Sequence, residues 1–241
     1  MEQRTPEWFL ARKGKITASE AYVLLANHKE SMTEEELAAF KAANPKSRTT
    51  TKEVPFSDST FTYLKKKVAE LFMSDEAFLD DQDAKQLNSR AVQHGSMYEG
   101  FARNKFQEVT GINVEEAGFI PMKGYETICG GSPDGLIVDG IIEIKCPWNT
   151  EVHQDYMLFE SAEDLKDYNL QYYVQMQLNM MVTDTHHGYF ISYDPRMEGA
   201  QQMKVLRVDK DEAICEQLAQ RVALAEEYMH NRIDRLNSIN N

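Results

Sequence analysis

The chain is poor in cysteine. Cys129, Cys146 and Cys215 are the only three in 241 residues, an odd number without paired metal spacing. That excludes a disulfide framework and falls short of the four thiolates an iron–sulfur cluster takes. Buried thiols in a reducing compartment are expected instead. No apolar run approaches membrane-spanning length, so a membrane partner is not expected. The opening stretch MEQRTPEWFLARKGK lacks the apolar centre of a secretion signal, and a cytoplasmic location is expected. Positive charge is also scarce: 26 Lys and Arg stand against 39 Asp and Glu, a net −13. Phosphate would be repelled by the surface as a whole, which excludes nonspecific coating of DNA. A nucleic-acid enzyme with a locally basic channel remains compatible with that charge. Basic residues do cluster at Arg12, Lys13 and Lys15, at Lys46, Arg48 and Lys52, and at Lys65, Lys66 and Lys67. Internal repeats and low-complexity tracts are absent.

The most informative stretch is CGGSPDGLIVDGIIEIKCP, residues 129–147. It reads as a β-hairpin, with Asp139-Gly140 as a two-residue turn and Ile141 to Lys145 as the return strand. Counting from that turn pairs Val138 with Ile141, Leu136 with Glu143 and Asp134 with Lys145. Side chains alternate along a strand, so Asp134, Glu143 and Lys145 share one face, and Ile137, Ile142 and Ile144 share the other. Asp134 and Glu143 then sit diagonally, about 7–8 Å apart. Two converging carboxylates beside a core strand repel each other and lose hydration. Mg²⁺ or Mn²⁺ would relieve that, because hard cations take oxygen ligands. Lys145 could hold an attacking water or stabilise a phosphodiester transition state. The alternative is a surface Asp–Lys pair with a solvated Glu143.

Upstream, residues 5–12 suggest a short helical turn. Thr17 with Glu20 has capping-box spacing before a helix reaching Ala26, with Ser19 in its first turn. Such an end attracts anions, and Arg12 lies close enough to contribute; an ordinary capped helix is the alternative. Helices are expected over Thr33–Asn44, Ser59–Met73 and Asp83–Thr110, the last closed by Gly111. Gly95 is an unusual interior residue there, suggesting close packing or backbone approach, and Glu99 lies four residues on. Residues 45–58 read as a polar loop. Strands are expected over Ile112–Pro121 and Thr127–Gly131. After Pro147 the chain reads as irregular, with a short acidic helix near Ala162. The helix Tyr168–Val182 carries Tyr172, Gln175 and Asn179 as a polar stripe. Strands Gly188–Tyr193 and Gln202–Val208 precede a terminal helix, Lys210–Leu236. This order predicts one α/β domain over 1–241: a helical part, 1–111, then a mixed central sheet with flanking helices, 112–241.

Gly95-x-x-x-Glu99, Pro133-Asp134, Glu143-x-Lys145 and Gln175-x-Gln177 together resemble the PD-(D/E)xK nuclease superfamily. KITASEAY, SPDGL, EIKCP, YYVQMQ and FISYDPRM resemble its phage lambda exonuclease-like viral recombinase family, in the same order from about Trp8 onward. The resemblance implies a restriction-endonuclease-like fold and a processive Mg²⁺-dependent 5′→3′ exonuclease acting on double-stranded DNA ends. It further implies 3′ overhangs, a homotrimeric ring, a single-strand annealing partner and a phage or prophage setting in a bacterial host. Asp134 and Glu143 match metal-binding carboxylates, and the Ile144 carbonyl matches a backbone ligand. Lys145 matches the lysine near the attacking water, and Glu99 an accessory acid, direct or indirect. Arg12, Thr17, Ser19, Ser132 and Gln175 match the lining of a 5′-phosphate pocket, which Tyr172 adjoins on the same helix. There are departures: Glu151 stands where the family has a phosphate-binding arginine, and His94 where it has tryptophan. Asn179 replaces a tyrosine found in some relatives. Two alternatives are an endonuclease or helicase-linked nuclease of the same superfamily, and a non-catalytic DNA-end clamp.

Overall fold

The computed structural model describes residues 2–26, 29–87 and 89–240, with Gln86 and Asn240 described by backbone only. Helix α1, Pro6–Arg12, opens with Thr5 as N-cap and Pro at its first position, both favourable there. Strand β1, Ile16–Thr17, leads into a 3₁₀ helix, Ala18–Leu25. The expected capping box does not form here. Thr17 makes no side-chain bond to a helical N–H, and its hydroxyl instead donates to the Glu20 carboxylate at 3.2 Å. Strand β2, Lys29–Ser31, pairs antiparallel with β3, Thr51–Glu53, around α2, Glu34–Ala43. The second predicted capping box, Thr33 with Glu36, is present in both directions. The segment read as a loop thus carries a strand, and the part read as helical carries three.

Helix α3, Asp58–Leu71, is followed by two helices where one was expected: α4, Asp75–Leu87, and α5, Arg90–Thr110. Ser89 caps α5 by accepting from the Val92 N–H, which stops α4 continuing into it; Asn88 lies outside the described residues. Gly111 closes α5 at φ 72°, the left-handed conformation glycine tolerates. Strands β4, Ile120–Pro121, and β5, Cys129–Gly131, are shorter than expected, and Glu115 makes only an isolated bridge to Leu136.

The predicted hairpin is β6, Gly135–Ile137, and β7, Gly140–Lys145. Its turn is Val138-Asp139 instead of Asp139-Gly140, with Asp139 at φ 56°, and Gly140 already pairs with Ile137. The register is therefore displaced by two from the expected one. Because side chains alternate with period two, the faces are unchanged, and Asp134 comes directly opposite Glu143. Val138, freed from pairing, is 86% exposed.

Helix α6, Thr150–Met157, occupies the stretch read as irregular; α7, Ala162–Tyr168, and α8, Leu170–Thr183, follow. Strands β8, His187–Tyr193, and β9, Met203–Asp209, precede α9, Glu212–Asn237. The main sheet runs β6-β7-β8-β9, with β7 and β8 parallel and the outer pairs antiparallel. On one face Ile142, Ile144, Ile191 and Tyr193 pack against Ala102 and Phe106 of α5. On the other, Ile141, Phe190, Leu206 and Val208 pack against Tyr173, Met176 and Met180 of α8. Each fully buried side chain of this kind contributes about 1.5–3 kcal/mol. The result is a mixed α/β domain with a central sheet between helices. A smaller sheet, β1-β5-β4, pairs β1 parallel to β5, so Thr17 lies beside Gly130.

Candidate active site

Two layers of the fold meet at the open end of β7. Strand β6 begins at Gly135, so past Ile142 that edge of β7 has no strand partner among the described residues. Asp134 fills the place: its Oδ2 accepts from the Ile144 N–H at 2.7 Å. The carbonyl of Ile144 turns to the same edge, since both backbone groups of a strand residue point one way. Glu143 points the other way from Ile142 and Ile144, under α8, and is fully buried. Lys145 Nζ donates to its Oε1 at 2.7 Å, Gln175 Nε2 to the same oxygen at 2.6 Å, and Asn179 Nδ2 to Oε2 at 3.1 Å. Helical spacing sets Gln175 and Asn179 one turn apart over one carboxylate. Tyr172 completes the stripe, with the Lys145 ammonium 4.4 Å from its ring centre.

Burial pushes the Asp134 carboxyl well above its usual range, and the nearby charges of Glu143 and Glu99 push it further. Burial also raises Glu143, against the opposing pull of Lys145. Burial alone would lower the Lys145 ammonium, but Glu143 and Asp134 outweigh it and raise it, so the amine stays charged. A fully buried Glu143 and a half-buried Asp134 of like charge, with a strand carbonyl beside them, suit a hard divalent cation. Asp134, Glu143 and the Ile144 carbonyl are the residues that could hold one. Among the described residues, no three His, Cys, Asp or Glu side chains group closely enough to bind a metal by themselves.

Glu99 lines the same cavity, but both its oxygens are engaged. Arg4 Nη2 meets Oε2 at 2.5 Å and Arg103 Nη2 meets Oε1 at 3.2 Å. Those guanidiniums, absent from the sequence reading, hold it as a paired acid. Gln3 anchors the segment carrying Arg4 by donating to the carbonyls of Ala117 and Pro133, both at 2.9 Å.

The cavity, about 660 Å³, is also lined by Arg12, Ser19, Ser132, Tyr172 and Gln175. The β1–β5 pairing brings Arg12 to Ser132: its Nη1 donates to the Ser132 hydroxyl at 3.4 Å, and its guanidinium lies 3.9 Å from the Trp8 ring centre. Trp8 Nε1 donates to the same hydroxyl at 3.1 Å. Burial lowers the Arg12 guanidinium to about 10, and it remains a cation at neutral pH. Thr17 is not brought to this cavity. It is buried and lines a neighbouring hollow with Glu20 and Lys67, a hollow that shares Trp8, Arg12 and Ser19 with the cavity. Gly95 is not a point of close approach either. A β-carbon there would meet nothing within 4 Å, and the bare backbone faces the cavity. His94 packs edge-on against Tyr98 and Trp148 and is not among the cavity residues. Glu151 is exposed in the first turn of α6.

Sequence reasoning missed Arg4, Trp8, Trp148, Val152 and Tyr156 as cavity residues. The signal available for Trp8 was its spacing: four residues before Arg12, it lies on the same face of a helix. The last two come with α6, which is fixed by the buried His153. That imidazole bridges the Ser192 hydroxyl at 2.7 Å and the Gln201 carbonyl at 2.8 Å.

The family and the fold have counterparts among known proteins. The chain is similar to an alkaline exonuclease, LHK-Exo, from Laribacter hongkongensis, at 27% identity and TM-score 0.68 over 97% of each chain. Against the same exonuclease in complex with dAMP, the values are 26% and 0.69, again over 97% of each chain. A phage-related exonuclease from Haemophilus somnus 129PT shares the fold at 13% identity and TM-score 0.63, covering 92% of this chain and 96% of that one. No curated protein sequence matches. The profile of the YqaJ-like viral recombinase domain matches residues 7–186, most of the chain, with Arg12, Asp134, Glu143, Lys145 and Gln175 inside the match. On that match the chain belongs to the YqaJ-like viral recombinase family.

Proposed function

We propose that the protein is a Mg²⁺-dependent 5′→3′ exonuclease that shortens one strand of a double-stranded DNA end and leaves a 3′ overhang. The observation that carries the reading is one cavity holding both parts of such an enzyme. Asp134, Glu143 and Lys145 stand on its floor, and Arg12, Ser132 and Gln175 are in its wall. The nuclease role follows from the family; polarity and metal dependence rest on the site chemistry and the resemblance. A bound divalent ion would polarise the phosphodiester and an attached water. The chain's own groups do the rest. Asp134 and Glu143 provide oxygen ligands, and Lys145, held charged, orients water and balances the charge that develops on phosphate. Arg12 provides the fixed cation for a terminal 5′-phosphate, with the Ser132 hydroxyl beside it. The dAMP bound by LHK-Exo is a nucleoside monophosphate, the product class that such cleavage releases.

A homotrimeric ring and a single-strand annealing protein as partner belong to the same proposal. A ring with an acidic exterior would admit DNA only through its middle, in keeping with the net −13. The deciding experiment is digestion of end-labelled linear duplex in Mg²⁺, with 5′-phosphate and 5′-hydroxyl ends compared and circular duplex as control. Labelled 5′ mononucleotide should appear from phosphorylated linear duplex alone. Cutting of the circle would show an endonuclease, and binding without product a non-catalytic clamp. Arg12→Ala should erase the preference for 5′-phosphate; an unchanged preference would remove Arg12 from the pocket.

A further inference from the structure

The chain has two tryptophans, and both line the cavity. Trp8 is buried and spoken for: its face carries Arg12 and its N–H binds Ser132. Trp148 is different. It is 47% exposed, and the phosphate-handling groups make no use of it. Yet its backbone is firmly held. Arg196 donates to the Trp148 carbonyl at 3.0 Å and to the Pro147 carbonyl at 3.1 Å. The same guanidinium grips the buried Asp194 through two bonds of 2.8 Å. His94 abuts the indole, ring centres 5.4 Å apart and planes at 86°, with Tyr98 stacked edge-on behind it. A large aromatic ring has thus been fixed in place with much of its surface open.

The cavity is correspondingly two-sided in chemistry. Its floor is charged, with Asp134, Glu143 and Lys145, and Arg12 adds a cation from the wall. Trp148, Val92, Val152 and Pro147 add an apolar lining, and Val92 is itself 45% exposed. A nucleotide has the same two-sidedness, an anionic phosphate and a flat ring. A volume of about 660 Å³ suits a ligand of that size. Gly95 also lines the cavity, and a β-carbon built there would meet nothing within 4 Å.

We propose that Trp148 is a base platform: it stacks the base of the terminal nucleotide while the charged floor holds the phosphates. This rests on the exonuclease reading and deepens it. An enzyme that removes every nucleotide in turn has to grip all four bases alike. Stacking does this, because each base has a π-face, whereas hydrogen bonding to base edges would discriminate. A platform also offsets part of the cost of separating the terminal base from its pair.

The test is calorimetric titration of the protein with dAMP, dTMP and 2-deoxyribose 5-phosphate, the last keeping sugar and phosphate without a base. Both nucleotides should bind more tightly than the sugar phosphate. Trp148→Ala should weaken dAMP and dTMP by about 5- to 100-fold and leave the sugar phosphate unchanged. Trp148→Phe should keep most of the nucleotide affinity. Equal losses for all three ligands would mean that Trp148 only shapes the cavity, and would overturn the proposal. So would undiminished nucleotide affinity in the alanine variant, or no base preference in the parent. Duplex digestion is scored separately. If the parent fails to digest duplex but prefers nucleotides through Trp148, the platform stands and the exonuclease reading falls.

Discussion

Asp134→Asn should stabilise the metal-free protein and abolish its response to Mg²⁺. Asp134 lies opposite Glu143 in the hairpin register, which places their β-carbons about 4.5–5.5 Å apart. Two unit charges about 5 Å apart, at an effective dielectric of about 20, repel by about 3 kcal/mol. Lys145, 2.7 Å from Glu143, offsets part of this, leaving a penalty of about 1–2 kcal/mol. Asparagine removes the charge and keeps an oxygen to accept from the Ile144 N–H. For a domain of this length the gain corresponds to a Tm rise of about 2–8 °C. The sign with pH follows from the raised Asp134 carboxyl. In the unfolded chain it ionises near about 4, in the folded protein only at higher pH. Its stability contribution is full below about 4 and is lost as pH rises through the folded value, so the variant's advantage should grow over that window. Saturating Mg²⁺, at about 100 times its Kd, should add about 2.7 kcal/mol to the parent and little to the variant. Without divalent ions the variant should therefore melt later, and with Mg²⁺ its advantage should vanish or reverse. Thermal denaturation with chelator and with Mg²⁺ measures both. A variant that melts earlier in chelator, or an equal Mg²⁺ shift in both proteins, would refute the reasoning.

Gly131→Ala should lower stability by about 1–3 kcal/mol and impair hydrolysis. Its β-carbon would come within 2.3 Å of Asn179 Oδ1, displacing the amide that steadies Glu143; urea unfolding and single-turnover hydrolysis check this. Asp194→Asn leaves the partly exposed Arg196 without its buried counter-charge and, because solvent screens the guanidinium, should cost about 1–2 kcal/mol by urea unfolding. Burial opposes the Asp194 charge, but Arg196 outweighs it and lowers the carboxyl. The pair's contribution is present above the ordinary aspartate range and lost on acidification through the folded value, so the two proteins' stabilities should converge toward acid. Arg4→Ala frees one oxygen of the buried Glu99 and should tighten Mn²⁺ binding several-fold by calorimetry, at a stability cost of about 1 kcal/mol, since Arg4 is partly exposed and Arg103 still pairs the acid.

Local periodicity determined a good deal of this protein. An alternation of two put Asp134, Glu143 and Lys145 on one face of a hairpin. The turn lay one residue earlier than the Asp-Gly pair suggested, a displacement of two in register that leaves faces unchanged, so the convergence survived the error. A period of 3.6 likewise aligned Tyr172, Gln175 and Asn179, and all three meet Glu143 or Lys145. What no local pattern carried was partnership across long separations. The parallel pairing of β1 with β5 joins residues more than a hundred apart and brings Arg12 and Trp8 to Ser132. The same kind of distance separates Arg4 from Glu99, and it turned an apparently free acid into a paired one. Thr17 went the other way: its capping spacing was real, but Glu20 took the hydroxyl and packing buried it. Spacing along the chain decides which side chains share a face, whereas packing decides which charge each of them meets.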